Sequence, residues 1–345
     1  MKSGSKYGTH RVLEPKGVLP QGAFKISNNM EIYDNEILID VKALNIDSAS
    51  FKQIFDEQDK DLEKVKERIL AIVKERGKLQ NPVTGSGGML IGRVKEIGEK
   101  LMRNTEFKVG DKIATLVSLS LTPLKIDKIH NIYPEIDRVE ISGTAILFES
   151  GIGVKLPEDM EENLALAVLD VAGAPAQTAK MVKSGDEVLI LGAAGKSGLL
   201  CCYEAHKRVG KAGRVVGLVR NQKEKEHLAK TNFCKEIVIA DATSPLEVLQ
   251  VALEANNGKE YNLSINCVNV PNTEMSTILP VKENGTAYFF SMATSFTKAA
   301  LGAEGVGKDI TLIIGNGYSK GHALIALEEL RESEIINHIF KEIYS

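Results

Sequence analysis

Hydrophobic and polar positions alternate over short stretches in the first 157 residues. The segment Glu36–Asp47 begins with an apolar residue at every second position, which predicts a half-buried strand. The segments Gly85–Gly98 and Phe107–Leu119 also read as strands, the second after a turn at residues 109–111. Short strands separated by Gly, Pro and Asp turns predict a small β-barrel-like domain over residues 1–157.

One stretch of this domain has helical spacing instead. Apolar residues recur every three or four positions among lysines and glutamates, which predicts an amphipathic helix from Asp56 to Lys78 with a solvated outer face. The apolar positions are Leu62, Val65, Ile69, Ile72 and Val73. Gly77 predicts the end of this helix.

Residues 158–345 follow a different pattern. A predicted helix over residues 164–182 precedes six short apolar segments, most of them separated by stretches that are long enough for a helix. The segments begin at Glu187, Arg214, Glu236, Tyr261, Gly285 and Asp309. Apolar strands that alternate with helices predict an α/β fold with a parallel, doubly wound sheet of the Rossmann type.

Composition and charge narrow the class of protein. The 345-residue chain is 43% hydrophobic and 26% charged, a globular balance that excludes disorder, collagen and coiled coil. A net charge of −3 gives no basic surface, so we expect no nucleic-acid partner. The sequence shows no signal peptide and no run of about 18 apolar residues, so we expect a cytoplasmic protein without membrane association.

Cysteine usage argues against a zinc site. The four cysteines are Cys201, Cys202, Cys234 and Cys267. They lack C-x-x-C spacing, so we expect free and mostly buried thiols. The first 200 residues contain no cysteine and only two histidines, His10 and His130, whereas zinc prefers Cys and His ligands.

The strongest functional signal is a glycine-rich turn after the segment that begins at Glu187. Its residues are Gly192, Ala193, Ala194, Gly195, Lys196, Ser197 and Gly198. A buried strand precedes the turn, an apolar helix follows it, and a second strand arrives at Arg214. Backbone amides and a helix N-terminus can approach a diphosphate there, because glycine removes the side chains that would hold it away. We therefore predict a dinucleotide site.

The end of the second strand indicates which dinucleotide binds. NAD sites place an acid there that accepts a hydrogen bond from the ribose 2′-hydroxyl. Here the strand ends at Val219, Arg220 and Asn221, and no acid occurs before Glu224. An arginine at this place can pair with a 2′-phosphate, so we expect NADP, with NAD as the alternative.

Later strand ends predict the remaining cofactor contacts, because the carboxyl ends of parallel strands line the ligand crevice. The predicted residues are Asp241, Cys267, Val268, Asn269, Ser291 and Met292, followed by Gly315, Asn316 and Gly317.

Over nearly its full length the chain resembles the medium-chain dehydrogenase/reductase superfamily. The matching motifs include "VKALNIDSASF", "FKVGDKIA" and the A-x-G-x-x-G form at Ala193, Gly195 and Gly198. The resemblance implies a GroES-like catalytic domain before the Rossmann domain, and a homodimer. Zinc-dependent members have a Cys where Asp47 stands and a His-Glu pair where Gly88-Met89 stand. The resemblance therefore implies a zinc-free enzyme.

The segments "YGTHRVLEPKGVLPQGAFKI", "GSGGMLIGRV" and "LDVAGAPAQTAKMV" resemble more closely a family of amino-acid dehydrogenases from anaerobic lysine fermentation. This resemblance implies NAD(P)-dependent oxidative deamination of a small diamino acid, 3,5-diaminohexanoate, to 5-amino-3-oxohexanoate and ammonia. Two alternatives stay open: a zinc-free NADPH-dependent quinone or enoyl reductase, and a non-catalytic dinucleotide-binding sensor.

Amine oxidation requires a general base, because hydride leaves the carbon only after the ammonium group has lost a proton. Asp47 is the leading candidate, since it replaces a metal ligand of the zinc-dependent relatives. Asp170 and His130 are the other candidates. Residues considered for substrate contacts are Arg11 and Arg93 for the carboxylate, and Ser48 and Ser120 as hydrogen-bond donors.

Overall fold

The protein is described from a computed structural model that covers residues 1–315 and 317–344. The chain forms two compact units. The first is Met1–Asp159, and the second begins at Met160.

The first unit is built on a six-stranded antiparallel sheet. The strands of the whole unit are β1 (Val12–Glu14), β2 (Lys25–Ile26), β3 (Glu36–Ile46), β4 (Gly88–Ile97), β5 (Lys112–Thr115), β6 (Leu124–Tyr133), β7 (Arg138–Phe148) and β8 (Gly153–Lys155). The large sheet has the order β6-β7-β3-β4-β5-β8, and β1 pairs separately with β2. Ile37, Ile39 and Val41 of β3 are buried in one core with apolar residues of β4 and of the helix Leu62–Arg76, as the alternation predicts. The predicted half-burial of this strand is wrong at its start, because Leu38 on the other face is also buried, in a cluster with Ile146 and Phe148.

The charged stretch of this unit differs from the predicted single helix over 56–78. It forms two helices, α1 (Ser48–Glu57) and α2 (Leu62–Arg76). Asp59 and Lys60 between them adopt positive φ angles of 54° and 61°, which an α-helix does not allow. Asp61 then begins α2 by accepting hydrogen bonds from two first-turn amides. The predicted stop at Gly77 is confirmed, because this residue caps α2 at φ 73°.

The second unit is a parallel sheet with helices between its strands. Its elements are α3 (Glu162–Leu169), α4 (Gly173–Met181), β9 (Glu187–Leu191), α5 (Lys196–Val209), β10 (Arg214–Val219), α6 (Gln222–Ala229), β11 (Glu236–Ile239), α7 (Pro245–Ala255), β12 (Tyr261–Asn266), α8 (Glu274–Ile278), β13 (Val281–Phe289), α9 (Phe296–Gly305), β14 (Thr311–Ile314), α10 (His322–Glu332) and α11 (Glu334–Tyr344). The strand order is β11-β10-β9-β12-β13-β14, and every neighbouring pair is parallel.

This order reverses direction between β9 and β12, which makes that point the switch point of a doubly wound Rossmann sheet. The predicted α/β fold class is confirmed. The six predicted apolar segments correspond to the six strands, although β13 begins at Val281 rather than at Gly285 and β14 begins at Thr311 rather than at Asp309.

The predicted helix over 164–182 is divided into α3 and α4. Pro175 explains the break, since it has no backbone N–H to donate one turn back and its ring opposes a continuous helix. In residues 1–315 and 317–344, no helix combines the length and the apolar character that a membrane span needs.

Candidate functional site

The bend after β9 is held by hydrogen bonds from its own backbone. Gly192 has a positive φ of 74°, and its amide donates to the carbonyl oxygen of Leu218 at 3.0 Å. The amide of Ala193 donates to the same oxygen at 3.1 Å. Gly198 packs against the bend so closely that a Cβ there would lie 2.1 Å from the Gly192 carbonyl oxygen. Only glycine fits at this contact.

Gly195 is different, because the space beside it is open. A Cβ at this position would meet only the Gly192 carbonyl oxygen, at 3.4 Å. Gly195 is exposed and is the N-cap of α5, which begins at Lys196. The amides in the first turn of a helix have no intrahelical acceptor, and they carry the positive end of the helix dipole. This cradle fits a diphosphate.

Lys196 and Asp170 form an ion pair beside this cradle. The Lys196 Nζ lies 3.1 Å from Asp170 Oδ2, and Asp170 is the C-cap residue that follows α3. The candidate acid at 170 is therefore paired with a lysine of the glycine-rich turn, and we expect this pair to orient Lys196 rather than to leave Asp170 as an independent base.

The predicted strand ends meet at one edge of the sheet. The amide of Cys267 donates to the carbonyl oxygen of Leu191 at 3.0 Å, which joins the end of β12 to the glycine-rich turn. Val268 follows, and its Cγ2 would lie 3.2 Å from a Cβ at Gly192. The switch point thus brings Cys267 and Val268 beside the cradle.

Asn266 shapes this edge, although it is not among the predicted site residues. Its side chain is buried; the Nδ2 donates to the hydroxyls of Thr273 and Thr277 at 2.8 Å each, and the Oδ1 accepts from the Val268 amide at 2.9 Å. Its backbone carbonyl also accepts from the Phe290 amide at 3.0 Å. A buried amide at a strand end is the signal that could have identified it.

The other predicted cofactor residues that the structure describes lie along the same edge of the sheet. Asp241 accepts hydrogen bonds from the amide and the hydroxyl of Thr243, both at 2.8 Å, and these bonds lower the pKa of its carboxyl group. Asn269 and Met292 are exposed, while Ser291 is half-buried. Asn316 lies outside the described residues.

The end of β10 carries an ion pair rather than an isolated arginine. Val219 is buried, and the exposed Arg220 side chain donates from Nε to Glu224 Oε1. The Arg220 amide donates to Glu224 Oε2 at 3.1 Å. Asn221 begins α6 and accepts the Glu224 amide at 2.9 Å.

In the first unit, Asp47 stands at the junction of β3 and α1, where it is the exposed N-cap residue of the helix. The hydroxyl of Ser86 donates to its carboxylate, a contact that the sequence did not predict. The next residue, Ser48, donates to Asp137. A carboxylate that accepts a hydrogen bond from a hydroxyl, as Asp47 does from Ser86, can also bind an ammonium group and accept its proton.

The position of the missing metal ligand is closed by the backbone. Gly88 has φ 109°, and a Cβ there would lie 2.0 Å from the Asn45 carbonyl oxygen and 2.9 Å from the Asp47 amide. A histidine therefore does not fit at residue 88. Among residues 1–315 and 317–344, no three His, Cys, Asp or Glu side chains are grouped closely enough to hold a metal ion.

His130 is not brought to Asp47. It is exposed on the edge strand β6, and its Nε2 lies 2.6 Å from the hydroxyl oxygen of Ser142 on β7. Ser142 lies four residues along β7 from Arg138, which is about 13 Å at the rise of an extended strand. Arg138 pairs with Asn45, next to the β3 end that leads into Asp47.

The expected carboxylate clamps also have other partners. Arg11 is buried in an ion pair with Glu36, which makes it a structural residue. Arg93 is exposed and donates to the carbonyl oxygen of Gly110 at 2.9 Å. Ser120 is buried and donates to the Ser118 hydroxyl at 2.8 Å.

The four cysteines are free thiols, as predicted. Cys201 and Cys202 are buried, and burial raises the pKa of both thiols. The Cys201 sulfur lies 3.9 Å from that of Cys267, and the Cys202 sulfur lies 3.6 Å from that of Cys234. A buried thiol with a raised pKa is a poor nucleophile, so we assign Cys201 and Cys202 to packing.

Comparison with known proteins gives strong similarity over the whole length. Residues 10–157 match the family model of the L-erythro-3,5-diaminohexanoate dehydrogenase N-terminal domain. The chain is 71% identical over 344 residues to the L-erythro-3,5-diaminohexanoate dehydrogenase of Fusobacterium nucleatum subsp. nucleatum, and all of both chains is covered. It is 69% identical to that of Acetoanaerobium sticklandii, with 99% of each chain covered.

Solved structures agree on the fold. The Escherichia coli quinone oxidoreductase complexed with NADPH aligns with a TM-score of 0.52 at 16% identity, over 90% of this chain and 82% of that one. The CurK enoyl reductase aligns with a TM-score of 0.51 at 15% identity, over 90% and 78% of the two chains. At this identity the likeness concerns the fold alone.

Proposed function

The chain belongs to the L-erythro-3,5-diaminohexanoate dehydrogenase family, and from that membership we propose that it oxidatively deaminates L-erythro-3,5-diaminohexanoate. The substrate, water and an oxidised nicotinamide dinucleotide give 5-amino-3-oxohexanoate, an ammonium ion, the reduced dinucleotide and a proton. The observation that carries this proposal is identity of 71% and 69% to two dehydrogenases over essentially the full chain.

The dinucleotide is assigned to the second unit. The open space at Gly195 and the first turn of α5 fit its diphosphate, and Lys196 adds a positive charge beside them. Cys267 and Val268 line the neighbouring strand end. When bound, the dinucleotide supplies a hydride acceptor for carbon 3 of the substrate.

We assign the proton chemistry to Asp47. Its carboxylate would accept the proton of the 3-ammonium group, so that the nitrogen lone pair can support loss of hydride. After releasing this proton to solvent, the carboxylate would accept a proton from the water that attacks the imine carbon. Ser86 donates to this carboxylate and would hold it in one orientation. The backbone-closed position at Gly88 supports a mechanism in which a carboxylate replaces the metal ligands of the zinc-dependent relatives.

The two alternatives from the sequence receive weaker support. The quinone and enoyl reductases share the fold at 15–16% identity, and fold does not assign chemistry. A sensor that binds the dinucleotide without turnover has no catalytic use for the contact between Asp47 and Ser86.

The test is reduced-cofactor formation, followed at the absorbance of the reduced nicotinamide, with 3,5-diaminohexanoate and with NAD+ and NADP+ in parallel. We expect turnover with the diamino acid and none with lysine, whose amino groups are at carbons 2 and 6. Absence of turnover on the diamino acid, together with oxidation of added NADPH by an enone or a quinone, would replace the proposal by the reductase alternative.

A further inference from the structure

Glu224 brings a carboxylate to the end of β10. Its Oε2 accepts the Arg220 amide at 3.1 Å, and its Oε1 accepts the Arg220 Nε. The two side chains differ in exposure: the Arg220 side chain is 81% exposed, whereas that of Glu224 is 26% exposed. The arginine therefore lies outward, and the carboxylate lies against the backbone where the strand ends.

Short-range contacts fix this arrangement. Asn221 Oδ1 accepts the Glu224 amide at 2.9 Å and so caps α6. Glu224 lies in the first turn of that helix, where the helix dipole stabilises a negative charge. The carboxylate position follows from the local sequence Arg220-Asn221-x-x-Glu224.

The end of the second strand is where this fold distinguishes a ribose 2′-hydroxyl from a 2′-phosphate. A 2′-phosphate needs donors, and two Arg220 donors, the backbone amide and Nε, are already bonded to Glu224. A phosphate would also meet the negative charge of that carboxylate. A ribose hydroxyl, in contrast, is a donor, and a carboxylate oxygen accepts more than one hydrogen bond.

We propose that Glu224 is the residue that sets the cofactor preference and that it selects NAD over NADP, an inference that rests on the proposed function of this unit as a dinucleotide-binding domain. The arginine alone favours NADP on the sequence. The contact with Glu224 changes the role of the arginine. Its guanidinium pairs with the Glu224 carboxylate instead of a phosphate, and that carboxylate can accept a hydrogen bond from the ribose hydroxyl.

The experiment measures the dissociation constants of NAD+ and NADP+ by isothermal titration calorimetry on the full chain without substrate, so that no turnover is needed. We expect the unmodified protein to prefer NAD+. Glu224→Gln keeps an acceptor for the Arg220 amide but removes the charge, and we expect it to shift the ratio of the two constants toward NADP+ by about tenfold or more.

Two further variants sharpen the result. Glu226→Gln removes a charge from the exposed face of the same helix, where the side chain accepts a hydrogen bond from Gln222, and it should leave the ratio unchanged. Arg220→Gln in the Glu224→Gln background should abolish the gain in NADP+ affinity, because the freed guanidinium provides that gain.

The proposal is overturned if the unmodified protein prefers NADP+ or if Glu224→Gln leaves the ratio unchanged. An unmodified chain that binds neither dinucleotide overturns the proposal together with the dinucleotide site. If the predicted preference and its shift are found while the diamino acid is not oxidised, the inference stands, and only the proposed reaction fails.

Discussion

Arg11 and Glu36 form a two-point ion pair in the interior of the first unit. Arg11 Nε and Nη2 each lie 2.6 Å from one carboxylate oxygen of Glu36, and both side chains are almost completely buried. Arg11 Nη2 also donates to the Glu31 carbonyl oxygen at 2.8 Å. An arginine with its donors engaged in this way holds the fold, and it is not available for the carboxylate of a substrate.

Removal of one member of this pair should destabilise the first unit. Glu36→Gln leaves a buried guanidinium without its counter-charge, so we expect the free energy of unfolding to fall by about 3–5 kcal/mol. Chemical denaturation measures this change. Arg93→Gln, at an exposed arginine, is the matched control and should stay within about 0.5 kcal/mol of the unmodified protein; an equal loss in both variants would contradict the assignment.

The same pair should contribute to the loss of stability in acid. Burial raises the pKa of Glu36, but hydrogen bonds from Arg11 and His10 outweigh it, and the net pKa lies below the ordinary value of 4.5. The stabilisation is therefore present above pH 4.5 and is lost as the pH falls through the lower, folded-state pKa. We expect the denaturant concentration at the unfolding midpoint of the unmodified protein to decrease when the pH is lowered below 4.5. This decrease should be smaller in Glu36→Gln.

Glu329 should act in the opposite direction. It is completely buried in α10, and burial, together with the neighbouring Glu204 carboxylate, raises its pKa well above 4.5. The folded protein keeps a proton that the unfolded chain releases, so the free energy of unfolding should decline as the pH rises above 4.5. Glu329→Gln should reduce that slope, whereas Glu328→Gln, at an exposed position, should not change it.

Two glycines of the cradle should respond differently to alanine. Gly195→Ala places a methyl group in open space, so the protein should fold normally while its affinity for the dinucleotide falls by about tenfold or more, because the methyl group occupies the place of the diphosphate. Gly198→Ala forces a Cβ to within 2.1 Å of a backbone oxygen and should cost about 1–3 kcal/mol of stability or more. Thermal melts and binding isotherms of both variants separate the two effects; a Gly195→Ala protein with unchanged affinity would contradict the cradle.

Asp47→Asn tests the assigned base. The amide keeps the shape and an acceptor for Ser86 but cannot accept a proton, so kcat should fall by about 100-fold or more with little change in the melting temperature. Asp137→Asn removes the neighbouring carboxylate that bonds to Ser48 and should retain most activity. Near-normal turnover of Asp47→Asn would remove this residue from the mechanism.

The sequence predicted the features that depend on local pattern. The glycine-rich turn, the strand before it and the helix after it are contiguous, and their spacing is set by steric rules that act within a few residues. The strand beginnings at Glu187 and Arg214 were predicted for the same reason. The break between α3 and α4 was not predicted, because the apolar spacing over 164–182 was interpreted as one helix and the effect of Pro175 on it was not considered.

Features that depend on side-chain partners were not predictable in this way. The contact of His130 with Ser142 needs the register of β6 on β7, and no periodicity along one strand contains that register. The burial of Arg11 depends on Glu36, which lies 25 residues away. Glu224 was visible as the first acid after β10, but its return to the Arg220 amide depends on where α6 begins.

The bend after β9 has a consequence for the rate of ligand capture. The amides of Gly192 and Ala193 donate to the Leu218 carbonyl oxygen, and α5 packs closely on the bend at Gly198, so contacts within the protein itself hold the first-turn amides of α5 in one orientation. A binding site whose backbone is already ordered by folding loses no further conformational entropy of its loop when the dinucleotide binds. Encounter by diffusion, rather than slow rearrangement of the receptor, should then govern how quickly this unit captures its nucleotide.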